Sequence, residues 1–246
     1  MSSLLVEFCE QTSPQVLQEV RSAKPAFRDA TRVHRSFLAA AEKRALVWMA
    51  ERMPRWIHSD HLTILGLGSQ LLAGFCYALS RWNPYALLLV IGCLALNWFG
   101  DSLDGTIARV RNQQRPRYGF YVDHMIDSVG ALFLMGGLAL SGYLHPAIAI
   151  GLLIAFLLLS IQSYLATYAI GEFHLSFWKF GPTEIRILLA IGNAALLFKP
   201  VVHVLGRGPY RLFDIGGLVA ITGMVAMLIV ATAKNTRRLY LEEPVR

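Results

Sequence analysis

From residue 62 onward the chain reads as uncharged apolar stretches divided by short polar breaks, at 62–79, 85–100, 128–144, 146–171, 187–198 and 215–233. Several approach the ~20 residues that a helix needs to cross a bilayer, so the pattern predicts six transmembrane helices. The second, third and fifth are short only because polar residues occupy one end of each. Those spans are expected to run through 101–109, 123–127 and 183–186. Charged positions inside a span are costly and mark function. Ahead of the first span the period changes: Leu46, Met49, Met53 and Trp56 recur at three- and four-residue spacing, opposite Lys43, Arg44, Glu51 and Arg55. That spacing predicts an amphipathic helix lying on the membrane surface. The expected class is all-α: a polytopic membrane protein with an arm over 1–33, an interfacial helix over 34–58, a six-helix domain over 59–235 and a tail over 236–246.

Composition agrees, because a chain of 246 residues that is 55% hydrophobic and 16% charged is too apolar for an ordinary soluble domain. About sixty polar and basic residues precede the first span, so no cleavable signal peptide is expected. Cys9, Cys76 and Cys93 fit neither a disulfide framework nor a zinc spacing and are read as packing residues. The net charge of +7 is uneven: nineteen of the 23 Lys and Arg fall in the N-terminal region, the loop between spans two and three, the approach to span five and the C-terminus. Basic residues accumulate on the cytoplasmic side, which predicts both termini inside and a multi-pass place in the cell (inner) membrane. They report topology and anionic lipid contact, and nucleic acid is not an expected partner.

Seven acidic residues lie between residues 61 and 233, and four of them fall close together: Asp101, Asp104, Asp123 and Asp127. Asp101 and Asp104 are three apart and Asp123 and Asp127 four apart, so each pair shares a helix face. The short loop over 110–118 is expected to make the two spans antiparallel neighbours with the pairs facing. Unpaired, each buried charge would cost several kcal/mol. All-oxygen ligation suits a hard divalent cation, Mg²⁺ or Mn²⁺, and two such ions would balance four charges and leave Arg109 for a phosphate. Two-metal sites suit displacement at phosphorus. Gly105, Ala108 and Gly119 carry little side chain, which would let a phosphorylated ligand approach the helices.

The pattern Asp101-x-x-Asp104-Gly105-x-x-Ala108-Arg109, followed by Gly119-x-x-x-Asp123-x-x-x-Asp127, resembles the signature of the CDP-alcohol phosphotransferases. The resemblance implies a six-span core with a cytoplasm-facing site, covering about 55–235, and a homodimer. It implies one metal on Asp101, Asp104 and Asp123, a second on Asp101, Asp123 and Asp127, and Asp127 as the general base. It also implies that Gly105, Ala108 and Arg109 line the CDP site, with Asp104 touching both metal and nucleotide. The acceptor hydroxyl would attack the phosphorus bearing the alcohol, and CMP would leave.

Family members use either CDP-diacylglycerol with a small polar acceptor or CDP-choline or CDP-ethanolamine with diacylglycerol. Asp123-His124-x-x-Asp127-Ser128, Phe180-Gly181-x-Thr183-Glu184 and Met53-Pro54-Arg55-Trp56-Ile57 resemble the choline and ethanolamine enzymes, so the reading leans to the second group. Asp60-His61-Leu62-Thr63 stands where the family usually has Pro-Asn-x-x-Thr, a departure in the turn before span one. Glu184 and Arg186, in the first turn of span five, are candidates for the acceptor or head group; Glu184 also suits a helix start. His124 is expected off the face of Asp123, in a supporting role. Arg111, Arg115 and Arg117 mark the inner face, and Trp98, Phe99, Phe120, Tyr121 and Trp178 fit an interfacial aromatic belt. A membrane transporter is the competing class, since intramembrane acids also line ion pathways.

Overall fold

The computed structural model describes residues 31–33, 39–174, 181–204 and 206–243. The rest of the expected arm, the start of the expected interfacial helix, Cys9, Trp178 and Phe180 lie outside the described residues. Seven helices carry the described chain: α1 Ala39–Arg52, α2 Ser59–Leu79, α3 Ala86–Val110, α4 Pro116–Leu140, α5 Pro146–Ile170, α6 Pro182–Phe198 and α7 Leu212–Glu242. Local chemistry sets their ends. Pro116, Pro146 and Pro182 each occupy the first turn of a helix, where the missing N–H is no loss. Gly171 ends α5 in the left-handed region at φ 78°, as a glycine readily does.

Five of these helices, α2, α3, α4, α5 and α7, are long and apolar enough to cross a membrane, and they mark an integral membrane protein. The expected sixth, α6, has 17 residues. At ~1.5 Å per residue it reaches about 26 Å, short of the ~30 Å hydrocarbon core. As expected, α3 runs on through the acidic segment to Val110. By contrast α4 begins earlier than its apolar stretch, at Pro116, because the polar first turns are held by the same backbone ladder.

The all-α expectation holds, with four short strands among the described residues. β1 Thr31–Val33 pairs in parallel with β2 Glu172–His174, and β3 Val201–Val204 forms an antiparallel hairpin with β4 Arg207–Arg211. The hairpin fills the loop between α6 and α7 and turns through Gly206 at φ 74°.

The central element is α2, which packs along both α3 and α4; α3 also meets α1 and α6, and α5 meets α4 and α7. The expected direct packing of α3 on α4 is therefore replaced by two contacts through α2. Glycines explain why. A Cβ on Gly100 of α3 would stand 2.6 Å from the Leu62 carbonyl oxygen, and one on Gly137 of α4 would stand 1.9 Å from that of Gly74. Only glycine lets these backbones touch. Buried side chains from α2, α3 and α4, including Ala73, Tyr77, Leu87, Val90, Leu134 and Leu138, form the main core. Cys76 and Cys93 sit in that core as free thiols.

The juxtamembrane helix also differs from its expectation over 34–58. It stops at Arg52, just ahead of Pro54, which cannot continue a helical hydrogen-bond ladder. Its apolar face is covered by protein: Leu46 and Ala50 are buried with Leu62, Leu103 and Ile107, and Met49, Met53, Trp98 and Phe99 pack around them. Trp56 points away and is exposed. The guanidinium of Arg111, at the end of α3, fixes the following turn by donating to the carbonyls of Met53, Pro54 and Ile57 at 2.9, 3.0 and 2.6 Å.

Candidate active site

The last turns of α3 and the first turns of α4 lean on the same helix, so their carboxylates face one space. The Asp127 carboxyl lies within electrostatic reach of Asp101, Asp104 and Arg186. Asp123 and Asp127 offer ligand atoms, with His124, that all lie within 4.8 Å of one another. Asp123 and Asp127 are thus brought together with His124 on α4, and Asp127 lies within electrostatic reach of Asp101 and Asp104 on α3.

Each is held differently. Asp104 receives the hydroxyl proton of Thr63 on α2, Oγ1 to Oδ2 2.6 Å, and the backbone N–H of Gly105 on its other oxygen. Asp101 is gripped by Arg186 of α6, Nη2 to Oδ2 2.5 Å, while the same guanidinium donates from Nε to Asn97 Oδ1 at 2.8 Å. Asn97 is oriented in turn by its Nδ2 donation to the Gly66 carbonyl, 3.0 Å. His124, expected off the face of Asp123, instead keeps a ring nitrogen in the group with Asp123 and Asp127. Its ring stacks on Tyr164 of α5 at 4.7 Å and meets Phe120 edge-on at 4.3 Å, which leaves Nδ1 3.7 Å from Asp123 Oδ2. The Tyr164 hydroxyl lies beside Ser128 and Ser160.

The glycine and arginine positions divide. Arg109 is exposed and donates from Nη2 to Thr106 Oγ1 at 2.9 Å on its own helix. A Cβ on Gly105 would meet its guanidinium at 3.3 Å, whereas Gly119 opens onto free space. Neither glycine serves helix packing, so their smallness leaves room beside the acids, and Ala108 is half-buried between them and the loop. Glu184 does not share a site with Arg186. It is buried and accepts from the Gly181 N–H at 2.9 Å, closing the start of α6. Spacing missed Arg186 and Thr63 as partners of the acids, and Asn97 as a partner of Arg186. A lone guanidinium in the first turn of an apolar helix was the available signal, since such a charge needs a buried counter-charge.

The donor set fits a hard divalent cation. Asp123 and Asp127 sit together with Asp101 and Asp104 within electrostatic reach of Asp127, and two guanidiniums, Arg186 on Asp101 and Arg109 within reach of Asp104, leave an excess of negative charge. Carboxylate oxygens are what Mg²⁺ or Mn²⁺ prefers.

Comparison with known proteins bears on this arrangement. The model of the CDP-alcohol phosphatidyltransferase family matches residues 56–233. The chain belongs to that family. The match runs from the turn before α2 into α7 and so takes in every helix that contributes to the acidic site. Within the family, cholinephosphotransferase 1 of Bos taurus is 28% identical over 153 residues, which cover 58% of this chain and 37% of that protein. The chain thus spans well under half of that relative's length.

Proposed function

We propose that the chain is a divalent-metal-dependent transferase of phospholipid synthesis. It moves a phosphoalcohol group from a CDP-alcohol to an acceptor hydroxyl and releases CMP. The observation that carries the reading is the group of Asp123, His124 and Asp127 on α4, with Asp101 and Asp104 of α3 within electrostatic reach of Asp127, in a chain of this family. Asp101, Asp104 and Asp123 would hold one ion and Asp101, Asp123 and Asp127 a second, Mg²⁺ or Mn²⁺. The ions would supply positive charge against the phosphate oxygens. With that charge in place, Arg109 faces the phosphates of the donor, while Arg186 stays on Asp101.

The chain's own groups then account for the transfer. Asp127 takes the proton of the acceptor hydroxyl, whose oxygen bonds to the phosphorus bearing the alcohol. The pyrophosphate P–O bond breaks on the far side, and the electron pair leaves with CMP. Gly105, Ala108 and Gly119 leave room for the nucleotide. Thr63, through its hydrogen bond, fixes the rotamer of Asp104.

For substrates, CDP-choline or CDP-ethanolamine with diacylglycerol is the favoured pair, supported by Asp123-His124-x-x-Asp127-Ser128 and by the likeness to a cholinephosphotransferase. The departure at Asp60-His61-Leu62-Thr63 keeps CDP-diacylglycerol with a small polar alcohol as the second reading. The fuller architecture belongs to the same proposal: α6 completes six crossings, both termini face the cytoplasm, and two copies form a homodimer.

The test is CMP release by purified protein in detergent, with Mg²⁺ or Mn²⁺, from CDP-choline, CDP-ethanolamine and CDP-diacylglycerol in separate reactions. The donor that yields CMP identifies the substrate. No CMP from any donor, across a set of acceptors, would refute the transferase reading in favour of a transporter.

A further inference from the structure

Glu42 lies in the first turn of α1, where an acid is favourable simply through the helix dipole. That account is incomplete, because its carboxylate reaches away from its own helix. Oε1 accepts from the Trp98 indole N–H at 2.7 Å, from the Thr183 hydroxyl at 2.7 Å and from the Ser102 hydroxyl at 3.4 Å. Trp98 and Ser102 belong to α3 and Thr183 to the first turn of α6. One oxygen therefore ties two helices together.

The neighbours of those donors form the charged contact inside the site. Trp98 follows Asn97, Ser102 follows Asp101, and Thr183 stands three residues before Arg186, one helical turn away on the same helix. Arg186 in turn bridges Asn97 and Asp101. The two sets of bonds cross the same α3–α6 seam side by side. Further along α6, Asn193 donates to the Tyr77 hydroxyl at 2.7 Å. Asn193 lies about two turns further along α6, at ~3.6 residues per turn.

We propose that Glu42 is a positioning residue: it straps the first turn of α6 to α3 so that Arg186 is held against Asp101. The helix α1 is then part of the catalytic framework, because its carboxylate sets where the guanidinium on Asp101 can stand. The strap rests on geometry. Only its kinetic consequence rests on the transferase reading.

The test compares Glu42→Ala, Glu42→Gln and Thr183→Val in the full chain, by hydrogen exchange and by CMP release from the donor that the wild type uses. A carboxamide keeps an oxygen that accepts from Trp98 and Thr183, so Glu42→Gln should stay close to wild type. Glu42→Ala and Thr183→Val should each speed amide exchange over 181–188 several-fold. Both should lower kcat on the order of 10-fold, as misplacement of site groups does, with KM for the donor little changed. Faster exchange confined to 39–52 in Glu42→Ala, with 181–188 unchanged in both variants, would overturn the strap. Should the wild type release no CMP while 181–188 opens in these two variants and stays closed in Glu42→Gln, the transferase reading falls and the strap stands. Thr183→Val keeps the test decisive if Glu42→Ala does not fold.

Discussion

At the scale of single residues, the site is a balance of charge in which each carboxylate has a different holder. Asp127 has no role in helix packing that would explain an acid there, and it lies within reach of two other aspartates. Asp127→Asn keeps the shape and removes the proton acceptor. CMP release should fall by at least ~10²-fold, the usual weight of a positioned base, with an unchanged helical spectrum; retained activity would remove Asp127 from the chemistry. Arg186 makes the complementary case. Its guanidinium offsets Asp101 at 2.5 Å, so Arg186→Gln should destabilise the metal-free protein by about 1–3 kcal/mol, as loss of a hydrogen bond to a charged group does. Saturating Mn²⁺ should recover most of that loss, because the cation takes over the neutralisation. Thermal unfolding with and without chelator measures both arms, and an equal loss in each would mean that Arg186 serves packing alone.

At the scale of elements, the helices were legible in the sequence and their neighbours were not. Apolar period and proline placement located α3, α5 and α6 closely, since both act within a few residues. The spacing of the aspartates likewise put two on each helix face without any tertiary information. What apolar period did not disclose was that α2 would separate α3 from α4, because a span hydrophobic on all sides shows by period alone no preferred neighbour. The glycines at 66, 74, 100 and 137 were the mark, and they were outweighed by the signature glycines, which pack against nothing. The seat of α1 on α3 was hidden for a related reason: a membrane surface and a protein groove both accept the same apolar face. The helix-contact account makes a paired prediction. Gly100→Ala places a Cβ against the α2 backbone and should cost about 1–3 kcal/mol. Gly68→Ala, on the open side of the same contact, should be neutral or stabilise by up to ~1 kcal/mol through helix propensity. Melting temperatures in one detergent decide it; equal effects would show that close approach does not hold α2 on α3.

At the scale of the whole molecule, two properties depend on more than any one helix. The first is topology. If α6 crosses, the hairpin over 201–211 and α1 lie on opposite faces, although α6 is short for the task. Single cysteines at Lys43 and Lys199, in a background with Cys9 replaced by Ser, should label from opposite sides of sealed vesicles. Labelling from the same side would make α6 re-entrant. The second is the dependence of stability on the cation. Four carboxylates and two guanidiniums leave the pocket net negative, and burial makes that repulsion costly, so the metal-free fold carries a strain that a bound ion relieves. A ligand that binds only the folded state stabilises it by about 2.7 kcal/mol at one hundred times its Kd. Mg²⁺ or Mn²⁺ should therefore raise the melting temperature in proportion to the logarithm of its concentration, and chelator should reverse the rise and stop CMP release together. Asp123→Asn removes one of the two carboxylates proposed to touch both ions and leaves the Arg186–Asp101 pair intact. This variant should melt higher than wild type in chelator, where repulsion is lower without that charge, and should gain nothing from added metal. A wild-type melting temperature indifferent to both cations would mean that the guanidiniums alone settle the charge, and the metal-dependent mechanism would have to be given up.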